Sequence, residues 1–315
     1  MILPKFAYKK TKSIQEAIRL FQKYDEKAFY LAGGTDMVPQ LKLRLHEPAA
    51  LIDLKDIGEL KGIAVHEGSL SVGANVTLFE LKNNSVVKEY FPALYESLDA
   101  TSCETLQMRG TVGGNILQNT RCLFYNKSLE WRTAKGFCFK MGGETCIVVP
   151  GARACFANYC SDNAPSLLSL SAEVILNGPG GERRTDLAKI FSGDSRTPFR
   201  ITSGEILTRI LIPLRKTRGA YEKIRVRDSI DYPLVNAAIS VEDGRGKLSI
   251  GAVGPVPSVY TLENMNEDTV EKLIGHVYSD SKPVSNTTLP AGYRKRMSRV
   301  LAKRVVTKVL KEARS

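Results

Sequence analysis

Residues able to carry chemistry concentrate between positions 111 and 162 of this 315-residue chain. The stretch opens with Thr111-Val112-Gly113-Gly114-Asn115, a glycine turn of the kind that lets backbone N–H groups close on a phosphate. Cys122, Cys138, Cys146 and Cys155 follow, with 15, 7 and 8 residues between them, amid Gly136, Gly142, Gly143 and Gly151. So many thiols in a glycine-rich segment have little core to bury in, which argues against incidental cysteines. Four thiolates satisfy one [4Fe-4S] cube, and equally one tetrahedral zinc ion. Structural zinc sites usually draw on cysteines about two to four residues apart. The open spacing here favours the iron-sulfur cluster, carried by a loop over about 118–160. Cys160 is set aside because it abuts Ser161-Asp162, and Cys103 is expected to be a small buried hydrophobe within a helix.

Another glycine turn, Gly33-Gly34-Thr35-Asp36, lies 80 positions before the first and follows the apolar run Ala28-Phe29-Tyr30-Leu31-Ala32. A strand, a glycine turn and a helical segment together present successive backbone donors to an anion. Each turn has a threonine and a small polar side chain beside it, and a dinucleotide carries a diphosphate that two loops can grip. No Gly-x-Gly-x-x-Gly follows a strand and no Gly-Lys-Ser/Thr follows either turn, which excludes the Rossmann fingerprint and the P-loop.

Composition narrows the setting. The chain is 43% hydrophobic and long enough for about two domains. It has no apolar run of membrane-spanning length and no signal-peptide pattern, so a soluble, cytoplasmic protein is expected. Six cysteines in a reducing compartment are not a disulfide framework. The net charge of +12 and pI of 9.4 fit an acidic protein partner better than nucleic acid, because the basic residues are dispersed and no recognition motif accompanies them.

The elements that must position these residues are legible from periodicity. Helices are expected over 11–24, 77–81, 86–90, 93–106, 266–277 and 293–313, with Ser13 capping the first. A further helix start follows Ser161-Asp162. Strands are expected at 28–32, 51–54, 62–65, 70–73, 206–214, 220–226, 235–241 and 247–253, with Asp243-Gly244-Arg245-Gly246 as a hairpin turn. The basic connector 215–218 marks a domain boundary.

Six motifs taken together point further: Leu31-Ala32-Gly33-Gly34-Thr35-Asp36, Gly73-Ala74-x-x-Thr77, Thr111-Val112-Gly113-Gly114-Asn115-Ile116, Ser161-Asp162-x-Ala164-Pro165, Gly204-Glu205-Ile206-Leu207 and Tyr221-x-Lys223. In this order they resemble the FAD-binding subunit of the molybdenum hydroxylase (xanthine oxidase) family, over nearly the whole chain. The family joins the second glycine turn to its Ser-Asp element directly, whereas Asn115 and Asp162 here are 47 positions apart. That insertion, with Phe124-Tyr125-Asn126 and Val148-Val149-Pro150-Gly151, resembles the family's 4-hydroxybenzoyl-CoA reductase branch, whose flavoprotein carries an extra cluster in such a loop.

The resemblance implies an α+β fold: a two-lobed FAD-binding domain of the vanillyl-alcohol-oxidase and molybdenum-hydroxylase flavoprotein type over 1–215, then a smaller sheet-plus-helix domain over 216–315. It implies that Gly33, Gly34, Thr35, Gly113, Gly114 and Asn115 hold the diphosphate, helped by the hydroxyls of Thr35 and Thr111. Asp162 would accept from a sugar or ribityl hydroxyl, Ile206 and Leu207 would pack on the isoalloxazine, and Lys223 would face its N1 and C2 carbonyl edge. Tyr30, Leu31, Ala32, Asp36, Thr77, Thr101, Gly110 and Leu117 complete the implied FAD contacts. The implied function is electron relay in a hetero-oligomer, a dimer of heterotrimers with a molybdenum-cofactor catalytic subunit and a [2Fe-2S] subunit. Reduced ferredoxin would feed the [4Fe-4S] cluster and FAD for anaerobic dehydroxylation of 4-hydroxybenzoyl-CoA in aromatic compound degradation. A xanthine- or nicotinate-type dehydrogenase subunit is the nearest alternative, and a zinc-bearing nucleotide scaffold the alternative of another class. No residue of this chain is expected to be catalytic.

Overall fold

The computed structural model describes residues 2–25 and 27–312. Two lobes and a third sheet account for them. In the first lobe β1 (Ala7–Lys10), β2 (Ala28–Leu31) and β3 (Ala50–Asp53) form a parallel sheet in the order β1-β3-β2. Parallel strands need a crossover, and α1 (Ile14–Lys23) carries the chain from β1 to β2 on the far side of β3. Its start is fixed by Ser13, whose hydroxyl accepts from the Glu16 N–H at 3.2 Å. Ile14, Ala17 and Ile18 fall on the buried side and meet Ile52, Leu54 and Ile57. The short helix α2 (Met37–Lys42) follows the first glycine turn.

The second lobe is built on an antiparallel sheet of β4 (Ile63–His66), β5 (Ser69–Gly73), β6 (Glu173–Gly178), β7 (Gly181–Asp186) and β8 (Ile206–Pro213), ordered β4-β5-β8-β6-β7. Helices α3 (Leu78–Asn83), α4 (Ser85–Tyr90), α5 (Pro92–Ala100), α6 (Glu104–Gln107) and α7 (Val112–Ile116) precede the insertion. Within the insertion lies α8 (Leu129–Lys135), and after it α9 (Asn163–Ser169). The apolar faces of α3, α4, α5, α7 and α9 and that sheet share one core around Val72, Leu94, Leu98, Leu167 and Ile210.

The third sheet is antiparallel, β12-β11-β10-β9, made of β9 (Arg218–Ile224), β10 (Val235–Glu242), β11 (Arg245–Gly251) and β12 (Ser258–Leu262). Helices α10 (Glu267–Asp280) and α11 (Ala291–Glu312) cover one face; α5 and α9 press on the other. This is why β10 is buried along almost its entire length, its mostly apolar run broken only by the buried Asn236 and Ser240 before the terminal Glu242. The fold is thus the mixed α/β flavoprotein architecture anticipated.

Two expectations need correction. The helix over 93–106 is interrupted: α5 ends at Ala100, Ser102 has φ of 55°, and α6 restarts at Glu104. Cys103 therefore stands at a helix start and is half-exposed, not buried inside a helix. Strands β1, β6, β7 and β12 and helices α7 and α8 go beyond the expected elements. Ala313, the expected end of the last helix, lies outside the described residues.

Candidate functional site

The two glycine turns meet. A Cβ placed on Gly33 would lie 1.9 Å from the Arg109 carbonyl oxygen and 3.1 Å from Gly110 Cα, so only glycine permits the first turn to press on the segment leading into the second. Gly113 is equally confined, with its would-be Cβ 2.8 Å from Ala74 Cβ. Gly34 has φ of 78°, which turns the backbone after Leu31. The N–H groups of Gly33, Gly34 and Thr35 take no partner among the described residues, and they are the free donors of the site.

The second turn differs from the expectation. The Gly113 N–H donates to the Ala74 carbonyl (2.9 Å), that of Gly114 to Thr111 Oγ1 (3.1 Å) and that of Asn115 to the Thr111 carbonyl (2.9 Å). These donors build the turn and are not left for a phosphate, although Thr111 keeps its hydroxyl hydrogen. Thr77, bridged to Thr111, spends its own hydroxyl on a capping box with Glu80. Between the turns opens a cavity of about 520 Å³, lined by Gly33, Thr77, Met108, Thr111 and Glu80 and by the cations Lys55, Lys61 and Arg109. That volume suits a small organic ligand, and its net positive lining, with Gly33 of the first turn at its edge, suits an anionic one.

Beside the second turn lies a buried polar cluster. Ser161 donates to Asn115 Oδ1 at 2.6 Å, which closes the 47-residue gap between the turn and Asp162. Asp162 Oδ1 accepts from Lys223 Nζ (2.7 Å) and from the Tyr221 hydroxyl (2.9 Å), and both charged side chains are about 5% exposed or less. Burial pushes the Asp162 carboxyl up, against the pull of the Lys223 ammonium and the Tyr221 hydroxyl. The motifs Ser161-Asp162 and Tyr221-x-Lys223, distant in the chain, are therefore one unit, with Lys223 and Asp162 paired to each other. Thr101 extends it through Asn163, whose Oδ1 lies 3.4 Å from its hydroxyl.

Other implied contacts take structural places. Tyr30 donates to the Gly204 carbonyl (2.8 Å) and stacks on Phe21 at 5.1 Å. Leu31 is core, Ala32 is half-buried, Leu117 packs against the central core, and the Gly110 carbonyl accepts from Leu78. Ile206 and Leu207 do not form a shared face for a flat ring. Neighbours on β8, they point to opposite sides, Ile206 into the first lobe's core and Leu207 into the second's.

The cysteine loop is where the structure departs most. Cys122, Cys138, Cys146 and Cys155 do line a common pocket, but it measures about 20 Å³ and is closed by Phe124, Tyr125, Phe139 and Ile147. That is room for about one water molecule. Among the described residues no three Cys, His, Asp or Glu side chains gather to hold a metal ion. The expected [4Fe-4S] site is therefore not formed, and neither is its zinc alternative. What holds the loop is hydrogen bonding and packing. Arg132, fully buried, donates to the carbonyls of Leu43 and Arg44 at 2.8 and 2.7 Å, pinning the loop to the end of α2.

Thiol reactivity follows from these placements. Burial pushes Cys122 up to about 11 and Cys160 up to about 12. The hydrogen bond from Thr105 holds exposed Cys103 below the usual thiol range. Iodoacetamide at mildly alkaline pH is expected to modify Cys103 first and Cys160 only after denaturation. Peptide mapping that found Cys160 labelled in the native protein would contradict this.

Lys140 gives a second test. Its buried ammonium donates to Thr120 Oγ1 (2.7 Å) and the Ser195 carbonyl (2.5 Å), without a carboxylate in ion-pair reach among the described residues, and burial lowers it to about 8. Unfolded lysine holds its proton to about pH 10.4, so between about pH 8 and that value the folded state has shed a proton the unfolded state keeps, and stability rises with pH. Lys140→Met removes this linkage. Its stability relative to wild type should fall by about 2 kcal/mol between about pH 7.5 and pH 10 in urea titrations, and a pH-independent difference would contradict it.

Comparison with known proteins decides the family. Residues 4–215 match the model of the FAD binding domain in molybdopterin dehydrogenase. The chain belongs to this family. Its relatives include the aldehyde oxidoreductase FAD-binding subunit PaoB of Escherichia coli, 28% identical with 98% of each chain covered. The carbon monoxide dehydrogenase medium chain of Afipia carboxidovorans is 27% identical over the full length of both. Among solved structures, that of a Cu,Mo-CO dehydrogenase superposes over all of both chains with a TM-score of 0.80 at 26% identity. These similarities give no support to the narrower resemblance to 4-hydroxybenzoyl-CoA reductase, whose ground was the cluster loop. Within the described residues of this family member no helix is long and apolar enough to cross a membrane.

Arg121, Tyr232, Gln40 and Lys140 are the site's neighbours that sequence reading missed. Nothing marks them in the chain: each lies in a loop or a helix end, and their meeting is a product of the tertiary fold.

Proposed function

We propose that this chain is the electron-relay flavoprotein of a molybdenum dehydrogenase of the xanthine or nicotinate kind, working with a molybdenum-cofactor subunit and a [2Fe-2S] subunit. The observation that carries it is the meeting of the two glycine turns at Gly33 and Arg109–Gly110, where Gly33, at the head of a turn with unpaired N–H groups among the described residues, lines a cation-rich cavity. Bound FAD would supply one- and two-electron carrier chemistry. The chain's own residues then bind and orient. The Gly33, Gly34 and Thr35 N–H groups hold the diphosphate, Lys55, Lys61 and Arg109 offset its charge, and the Asp162–Lys223 pair presents a fixed polar wall. No side chain in the site is placed as a nucleophile, which fits substrate chemistry on a partner.

Support for the dehydrogenase direction comes from relatives that include a nicotinate dehydrogenase FAD-subunit from Eubacterium barkeri and a xanthine dehydrogenase FAD-binding subunit from Escherichia coli. The chain is to be purified with its partner subunits and mixed anaerobically with xanthine, nicotinate or an aldehyde. Bleaching of the flavin spectrum by one of them is expected. Bleaching only by reduced ferredoxin, with reoxidation by 4-hydroxybenzoyl-CoA, would reverse the assignment.

A further inference from the structure

Asp36 poses a physical problem. It directly follows Thr35, so a carboxylate is tied to the turn that is to receive a diphosphate, and a negative charge in that neighbourhood opposes binding. The structure answers with two residues from distant parts of the chain. Asp36 Oδ1 accepts from Arg121 Nη1 at 3.1 Å and from the Tyr232 hydroxyl at 3.1 Å. The Arg121 guanidinium also lies over the Tyr232 ring, its Cζ 3.8 Å from the centroid. Gln40 Nε2 donates to the other carboxylate oxygen at 2.5 Å.

Arg121 is not a mobile surface cation. Its backbone N–H donates to the Asn158 carbonyl at 2.7 Å and its carbonyl accepts from the Asn158 N–H at 2.8 Å, a bridge that closes the neck of the insertion. Tyr232 comes from the loop joining β9 to β10. We infer that Arg121 and Tyr232 are positioning residues for the diphosphate turn: they neutralise and fix Asp36, and so set FAD affinity without being the phosphate ligands themselves. The inference rests on the flavin reading and adds to it the neck of the insertion as a determinant of FAD affinity.

The test is titration of the apo-protein with FAD, followed by quenching of flavin fluorescence, at low and at moderate salt. Arg121→Gln should raise Kd about tenfold, since a charge-assisted contact is lost and a carboxylate is left bare. The double variant Asp36→Asn/Arg121→Gln should return to within about threefold of wild type, because neither charge then remains. Tyr232→Phe should weaken binding about threefold by losing one hydroxyl donor. An unchanged Kd in Arg121→Gln, or a double variant no better than the single, overturns the inference. Thermal unfolding of each apo-variant separates lost fold from lost affinity, and Arg121→Lys, which keeps the charge, serves if the glutamine variant fails to fold. A Kd for the lysine variant as weak as for a fully disrupted turn would also count against charge neutralisation. Wild-type protein that takes up no FAD sinks the flavin reading itself, whereas wild-type binding with indifferent variants sinks only this inference.

Discussion

Lys223→Met is expected to lower the unfolding free energy by about 3–5 kcal/mol, the usual result of removing one partner from a buried ion pair. Asp162 would be left in a site where its carboxylate is about 5% exposed, with the Tyr221 hydroxyl as its remaining side-chain donor. The charge can be relieved only by protonation or by opening the cluster. Because Ser161 ties this cluster to Asn115, opening it also disturbs the second glycine turn. Urea titration should show the loss directly, and FAD affinity should fall with it. Asp162→Asn/Lys223→Met, which removes both charges, should recover a large part of the stability. A single variant within about 1 kcal/mol of wild type would show that the pair contributes little.

Gly33→Ala should abolish measurable FAD binding while leaving most of the fold in place. Its Cβ would stand 1.9 Å from a backbone oxygen at Arg109, so the two turns must separate, and backbone cannot yield as a side-chain tip can. Overpacking of this kind costs about 1–3 kcal/mol, a loss the domain can absorb, but the relative position of the turns is the site itself. Gly181→Ala is the control: its φ is 97°, no atom lies within 4 Å of the added methyl, and it lies outside the cavity lining, so only a modest stability loss is expected and binding should persist. Equal FAD affinity in Gly33→Ala and wild type would contradict the two-turn cradle.

Most of the fold could be read from the chain because its signals were local. The period of α1, the Ser13 cap, the apolar runs of β2, β8 and β10 and the Asp243-Gly244 turn each rest on neighbours in sequence. Strands β6 and β7 went unread because β7, Gly-Glu-Arg-Arg-Thr-Asp, is an exposed edge of charged residues whose pairing comes from its partner strand. The break at Ser102 was invisible for a similar reason, since apolar spacing continues through it.

At the site, residue types were legible and their use was not. Glycine turns announce close backbone approach, yet whether their N–H groups face a ligand depends on what else comes near. Ala74 and Thr111 take those of the second turn, and among the described residues nothing takes those of the first. The cysteines show the same limit. Four thiols in a glycine-rich loop suggest a ligand set, but the pocket they share with Phe124, Tyr125 and Phe139 is only about 20 Å³. Ile206 and Leu207 were assigned together from a motif, and strand alternation sends them into different cores.

Flavin content of the purified wild-type chain tests the central claim most directly. One equivalent of FAD per chain, bound as isolated or after incubation and released intact on denaturation, is the expected result. A colourless protein that takes up no FAD on titration, though correctly folded by circular dichroism, would contradict it.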